Sequence, residues 1–523
     1  MTEAVGTATM ITVKKDAPAK ASSRKLVMLL MAGAIVGKGL GFVREILMAQ
    51  VFGASLIADA FRAATTGIMM PLAPFQSESV PSALIPLHRR WEEEGGAPRL
   101  FAALTLAITA IGILLMALVL VFSQQWIDLL VGGFSETAKG KTHDFLRILA
   151  LAMPASVLIN VLAACEISLG RSRMMTVRAS LTNVSVIVGI LCLMAFGWDE
   201  SIAWAFSAAF NSLALWGLVR LIREGALDFT AVRFADIGFA VRSFGRQFLP
   251  LTLVPLADQG NIWVERFIAS TLIVGTVASL DYARTITDSA VLFISQPIGL
   301  VLLSRFSGTD QNEKVLTVVR TLLAIGLPGC VSLGLFAPDI ARLVFERGAF
   351  NEVAVHMTGD AIHGISVGLW ASTVGWVVLR LLNGAGRNIA AAVILVSAFL
   401  ANLVFNVLVF EFAPLAIHGH GSLVLGLGEA VRGIVLLSAT LITLKLVRPA
   451  VRMIALALVP ALVMLGLGWS ILEFTQQVWP RLIVGGIGTV LTMAFGLQLL
   501  SPHLLNLGVR TCFKFIERLK ARS

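Results

Sequence analysis

The chain has 523 residues, of which 57% are hydrophobic and only 14% charged, and its mean hydropathy is +0.87. This balance excludes an ordinary soluble domain and fits a protein that crosses a membrane many times. A formal charge of +10 does not indicate nucleic-acid binding, because the basic residues are scattered between apolar runs and form no groove-sized cluster.

Residues 1–24 read as a disordered basic tail, with Lys14, Lys15, Lys20 and Arg24 preceding the first apolar run. That run is too long for a signal peptide and has no persuasive cleavage site, so it is expected to stay as a first span. Membrane-spanning backbone must satisfy its own hydrogen bonds, and runs of about 20 apolar residues indicate helices rather than barrel strands. The fold class is therefore an all-α polytopic membrane protein, with fourteen spans expected near 26–50, 56–87, 99–124, 143–169, 175–197, 201–222, 245–271, 275–304, 315–337, 354–382, 387–412, 421–445, 450–472 and 480–501. Loops after even-numbered spans are rich in cations, for example Arg89 and Arg90, Arg171 and Arg173, and Arg242 and Arg246. By the positive-inside rule, both termini are then cytoplasmic.

The expected organisation is an N-terminal lobe of six spans over 25–223, a cytoplasmic linker over 224–244 and a C-terminal lobe of six spans over 245–446. Two further spans fill 447–502, and a basic amphipathic tail occupies 503–523. Paired lobes suit a transporter that rocks about a central site.

Several charges fall inside these apolar runs. Lys38 and Arg44 lie in the first, Asp59 and Arg62 in the second, and Asp281, Arg284 and Asp288 share one helical face in the eighth. An ionisable group at membrane depth normally faces a bundle interior or a wet cavity. Guanidinium groups converging from both lobes suit an anionic substrate, and their planar donors match phosphate oxygens two at a time. Neighbouring acids would keep them oriented while the cavity is empty. A purely structural ion pair is the simpler account for Arg62 and Arg284, and interfacial snorkelling for Arg44.

Four strings carry a family resemblance: Gly39-Leu40-Gly41-Phe42-Val43-Arg44-Glu45, Val51-Phe52-Gly53-Ala54, Ala58-Asp59-Ala60-Phe61 and Arg342-Leu343-Val344-Phe345-Glu346-Arg347-Gly348-Ala349-Phe350. Together they resemble the MurJ/MviN lipid II flippases of the multidrug/oligosaccharidyl-lipid/polysaccharide exporter superfamily. The resemblance implies an inner-membrane flippase rather than an enzyme. Such a flippase moves a polyprenyl-pyrophosphate-linked saccharide, most often the peptidoglycan precursor lipid II, by alternating access through a cationic cavity. Its partners would be that lipid-linked substrate, membrane lipids and cell-envelope synthesis proteins. The substrate-binding residues it implies are Lys38, where the family has arginine, with Arg44, Asp59 and Arg284; Arg62 joins them as a candidate for the same cavity.

One family feature is missing. The stretch Ile68-Met69-Met70-Pro71-Leu72-Ala73-Pro74 contains no arginine where the family supplies another cavity cation. Export of a different lipid-linked oligosaccharide, of exopolysaccharide or O-antigen type, is thus an alternative, as is a drug or cation antiporter of the same superfamily.

Some members of the family resemble sodium-coupled carriers, which implies a sodium site at Glu265, Asn402 and Asn406, with Glu265 and Asn406 standing where aspartates would be. Interhelical hydrogen bonding by the asparagines is the competing account. No other cofactor is expected. Cys165, Cys192, Cys330 and Cys512 show no CxxC spacing, His418-Gly419-His420 reads as a polar turn, and no nucleotide-binding motif is present.

Overall fold

A computed structural model describes residues 19–304 and 311–503, and the described residues form helices joined by short connections. The first helix, α1 (Ala19–Phe52), starts before the expected boundary, so residues 19–24 belong to the helix and not to the tail. Residues 1–18 and 504–523, the latter nearly all of the expected amphipathic tail, lie outside the described residues.

The second expected span divides into α2 (Leu56–Gln76) and α3 (Ser79–Glu93). Pro71 and Pro74 deprive α2 of two backbone donors near its end. The Ser77 hydroxyl completes the break, donating to the Pro74 carbonyl at 2.9 Å and accepting from the Ser79 amide at 3.2 Å. Next come α4 (Ala97–Val121), a short α5 (Ser123–Val131), and α6 (Glu136–Ala150) with α7 (Met153–Ser168), a pair bent by 42° where one straight span was expected. The N-terminal spans end with α8 (Arg173–Phe196) and α9 (Ser201–Arg223).

The expected linker contains a helix, α10 (Phe234–Phe248). Ala240, Phe244 and Phe248, four residues apart, are buried, whereas Phe234 and Phe239 on other faces are exposed. Phe248 stacks on Phe75 of α2 at 5.2 Å, and the Asp236 carboxylate accepts from the Arg233 amide at 2.8 Å to cap the start.

The C-terminal half comprises α11 (Leu253–Ser270), α12 (Thr276–Ser304), α13 (Gln311–Leu335), α14 (Ala337–Phe345), α15 (Glu352–Gly384), α16 (Asn388–Phe412), α17 (Pro414–Thr443), α18 (Val447–Phe474) and α19 (Val478–Leu500). The expected His418-Gly419-His420 turn lies within α17, where His420 breaks the helix with φ −137° and ψ 43°.

Among the described residues, nine helices are long and apolar enough to cross a membrane, or ten if the α6–α7 pair counts as one span. Helix α11 is too charged for that set, with Asp258, Glu265 and Arg266 in 18 residues. Two groups of helices result, α1–α10 and α11–α17, with α18 and α19 packed on α13. The groups meet where α2 lies against α11 and α12, α5 against α11, and α1 against α12 and α14.

The resemblance strings form part of this junction. Gly53 has φ +60° and Gly348 φ +58°, and each closes a turn directly against the opposite group. A Cβ on Gly53 would lie 2.3 Å from the Ala349 carbonyl oxygen, and one on Gly348 2.3 Å from that of Gln50. Only glycine fits both the left-handed backbone and the close approach. The Ala349 amide donates to the Gln50 carbonyl at 2.8 Å, and the Tyr282 hydroxyl to the Gly53 carbonyl at 3.0 Å. Phe345 and Phe350 pack on the Tyr282 ring at 5.1 and 5.4 Å.

Candidate functional site

The charges that a lipid environment would reject gather between the two groups of helices. On the N-terminal side Glu45 is buried, and its two oxygens accept from Arg44 of α1 at 2.6 Å and from Arg62 of α2 at 2.7 Å. Arg62 also reaches across to Asp281 of α12 at 2.9 Å, and its guanidinium lies 4.5 Å from the centre of the Tyr282 ring. A buried guanidinium held by two acids and an aromatic face retains both its charge and its orientation.

Asp281 is the centre of the C-terminal side. Besides Arg62 it holds Arg266 of α11 at 2.5 Å and approaches Arg284 at 3.6 Å, one turn along α12. Arg266 donates its other arm to the Val277 carbonyl at 3.0 Å. Arg284 extends the chain to Glu265 of α11 and to Glu429 of α17, the latter at 2.8 Å. Glu429 in turn holds Arg432 at 2.5 Å. The connected network contains five guanidinium groups and four carboxylates.

Three contiguous cavities follow this network. The first, of about 270 Å³, is lined by Arg44, Arg62, Arg266 and Asp281. The second, of about 350 Å³, shares Arg266 and Asp281 with the first and adds Arg284, Glu429 and Arg432. The third, of about 720 Å³, shares Asp258, Asp288, Trp376 and Arg432 with the second and continues past Glu78 and Arg380. Charged side chains facing a cavity between helices are the ordinary setting for intramembrane charge.

Each expected site residue has a definite place. Arg44 and Arg62 line the first cavity and Arg284 the second. Lys38 is exposed on α1 and lies within electrostatic reach of Asp288, a residue shared by the second and third cavities.

Asp59 is placed differently from the expectation. It is buried, and its oxygens accept from the Gly275 amide at 2.6 Å and the Ala278 amide at 2.8 Å. In this conformation it caps the start of α12 across the junction and does not line the three cavities. Glu265 is buried beneath Arg284, and Asn402 and Asn406 are buried on α16, with the Asn406 amide donating to Asn402 Oδ1 at 3.0 Å.

Among the described residues, Glu265 Oε1, Asn406 Oδ1 and the side chain of Asn261, one turn from Glu265, are buried without hydrogen-bond partners. Asn402 Oδ1 is taken by Asn406 and its Nδ2 lacks an acceptor, so the acceptors open to a monovalent cation are those of Glu265, Asn406 and Asn261. The packing of α11 on α16 brings these helices together, and Gly428 lets the α17 backbone approach both asparagines. Oxygen donors with one carboxylate suit a hard monovalent ion. Among the described residues, no group of three or more His, Cys, Asp or Glu forms a metal centre.

Sequence reasoning missed Glu45, Arg266, Glu429 and Arg432 as site residues. Their signal is the one that marks Arg44: a charge within an apolar run, here reinforced by the Glu429/Arg432 spacing of three.

The sequence comparisons agree on one family. A family model described as Lipid II flippase MurJ matches residues 48–484. A probable lipid II flippase MurJ of Buchnera aphidicola subsp. Schizaphis graminum is 24% identical over 400 residues, covering 72% of this chain and 76% of that protein. One from Rhizobium tropici is 26% identical over 368 residues, covering 65% and 67%. Among solved structures, a lipid II flippase MurJ in an inward closed conformation has a TM-score of 0.77 at 19% identity, covering 91% of this chain and 100% of that one. An inward-facing multidrug transporter of the MATE family has a TM-score of 0.61 at 16% identity, covering 80% and 94%.

Proposed function

The chain belongs to the MurJ lipid II flippase family, and from that premise we propose that it carries lipid II from the cytoplasmic to the periplasmic leaflet, with the pyrophosphate held by the interior arginines. It is a multi-pass inner-membrane transporter and not a catalyst of a chemical reaction. The observation that carries this function is the placing of Arg44, Arg62 and Arg284, from both groups of helices, around contiguous cavities. A pyrophosphate competes with Glu45, Glu429 and Asp281 for guanidinium groups that are already oriented and charged. The acids limit the cost of holding those charges while no substrate is bound. Lys38, exposed near Asp288, contributes a further cation, and Asp59 acts through the junction that must open on the far side.

Fourteen spans in two six-helix lobes plus two, with both termini cytoplasmic, belong to this proposal, and the cation-rich loops after even-numbered spans support them. So does a sodium ion at Glu265, Asn402 and Asn406, supported by the unused buried acceptors at Glu265 and Asn406. When bound, that ion supplies positive charge to a buried carboxylate.

A second reading, export of another lipid-linked oligosaccharide, is favoured by Met69, which lines two of the cavities in the stretch where the resemblance implies an arginine. Depletion of the protein separates the two. Accumulation of lipid II on the cytoplasmic leaflet supports the first, and accumulation of a different lipid-linked saccharide with normal lipid II turnover supports the second.

A further inference from the structure

Arg284 faces the second cavity and is the single ion-pair partner of Glu265 among the described residues. Its two other acids are held independently, Glu429 by Arg432 at 2.5 Å and Asp281 by Arg62 and Arg266. If an anion draws Arg284 into the cavity, those two acids keep a counter-charge and Glu265 does not. Glu265 is fully buried, and an unpaired carboxylate there is strongly disfavoured. Its second oxygen, Oε1, already lacks a partner, as do the buried acceptors of Asn261 and Asn406.

We propose that Glu265 is neutralised either by Arg284 or by a monovalent metal cation, one at a time, so that an anion drawing Arg284 away and a cation at Glu265 favour each other. The unused amide oxygens favour a metal ion over a proton, since a proton needs no such donors. By linkage, the factor by which the anion tightens cation binding equals the factor by which the cation tightens anion binding. This exchange rests on the anion-binding cavity proposed above.

The test is binding, measured on the purified full-length protein in detergent by calorimetric titration with sodium chloride, at ionic strength held constant with N-methylglucamine, with and without inorganic pyrophosphate. Saturating pyrophosphate is expected to tighten sodium binding about tenfold, within the usual range of site-to-site coupling. Arg284→Gln without pyrophosphate is expected to bind sodium as tightly as the wild type does with it, and Glu265→Gln to show no sodium response. Sodium affinity indifferent to pyrophosphate, or no tighter in Arg284→Gln, overturns the exchange. Pyrophosphate affinity that follows pH and ignores sodium assigns the vacated carboxylate to a proton and overturns the metal. Pyrophosphate that fails to bind the wild type overturns the anion cavity instead, and the Arg284→Gln comparison then tests the exchange alone. The wild-type titration requires no variant to fold.

Discussion

Asp281 joins more of the interior network than any other acid in it, since Arg62, Arg266 and Arg284 all approach it. Removing one partner from a buried pair leaves an uncompensated charge at a cost of about 3 to 5 kcal/mol. The Asp281 side chain is 19% exposed, so the lower end of that range applies. Asp281→Ala is expected to lower the melting temperature of the purified protein clearly, and adding Arg266→Ala to cost much less than the sum of the two single changes. Additive effects would show that the two residues do not share a network. At this scale the sequence is a partial guide. Arg44, Arg62 and Arg284 stand out as charges in apolar runs, and so does Arg266, but it lies beside Glu265 and nothing local shows that it turns toward Asp281. Asp59 also stands out as a charge in an apolar run, but its role as a cap depends on Gly275 and Ala278, 216 and 219 residues away.

The helices are legible from apolar runs, but their breaks depend on details of side-chain chemistry. Ser77 and two prolines end α2 within one expected span. Helix α10 is hidden in the sequence because Arg242 and Arg246 interrupt a run whose buried positions, Ala240, Phe244 and Phe248, recur every four residues. Phe248→Ala removes the ring that stacks on Phe75. It is expected to destabilise the protein by about 3 kcal/mol, as large-to-small changes at buried aromatics do, measured as a fall in melting temperature. An unchanged melting temperature would mean that α10 does not pack on α2. The turn at Gly348 makes a sharper demand. A left-handed backbone costs a non-glycine residue about 1 to 2 kcal/mol, and the added Cβ would meet the Gln50 carbonyl at 2.3 Å. Gly348→Ala is therefore expected to loosen the junction and to lower the melting temperature of the purified protein, and an unchanged melting temperature would contradict the tight seam.

At the scale of the whole molecule, the two groups of helices touch through the Gly53 and Gly348 turns, the Asp59 cap and the Arg62–Asp281 pair. Under the proposed alternating access these ties break in each cycle. A disulfide between Gln50→Cys and Ala349→Cys, whose backbones are joined at 2.8 Å, should arrest transport, and reduction should restore it. Full transport with the crosslink formed would show that the junction need not open. Such long-range pairings cannot be read from one sequence, because neither turn carries a local sign of its partner. The most direct test of anion capture by the interior arginines is translocation of the lipid II headgroup in vesicles reconstituted with the wild type and with Arg284→Ala. Movement by the wild type and its loss in the variant are expected, with the variant still folded by size-exclusion chromatography. Normal translocation by Arg284→Ala would contradict that role.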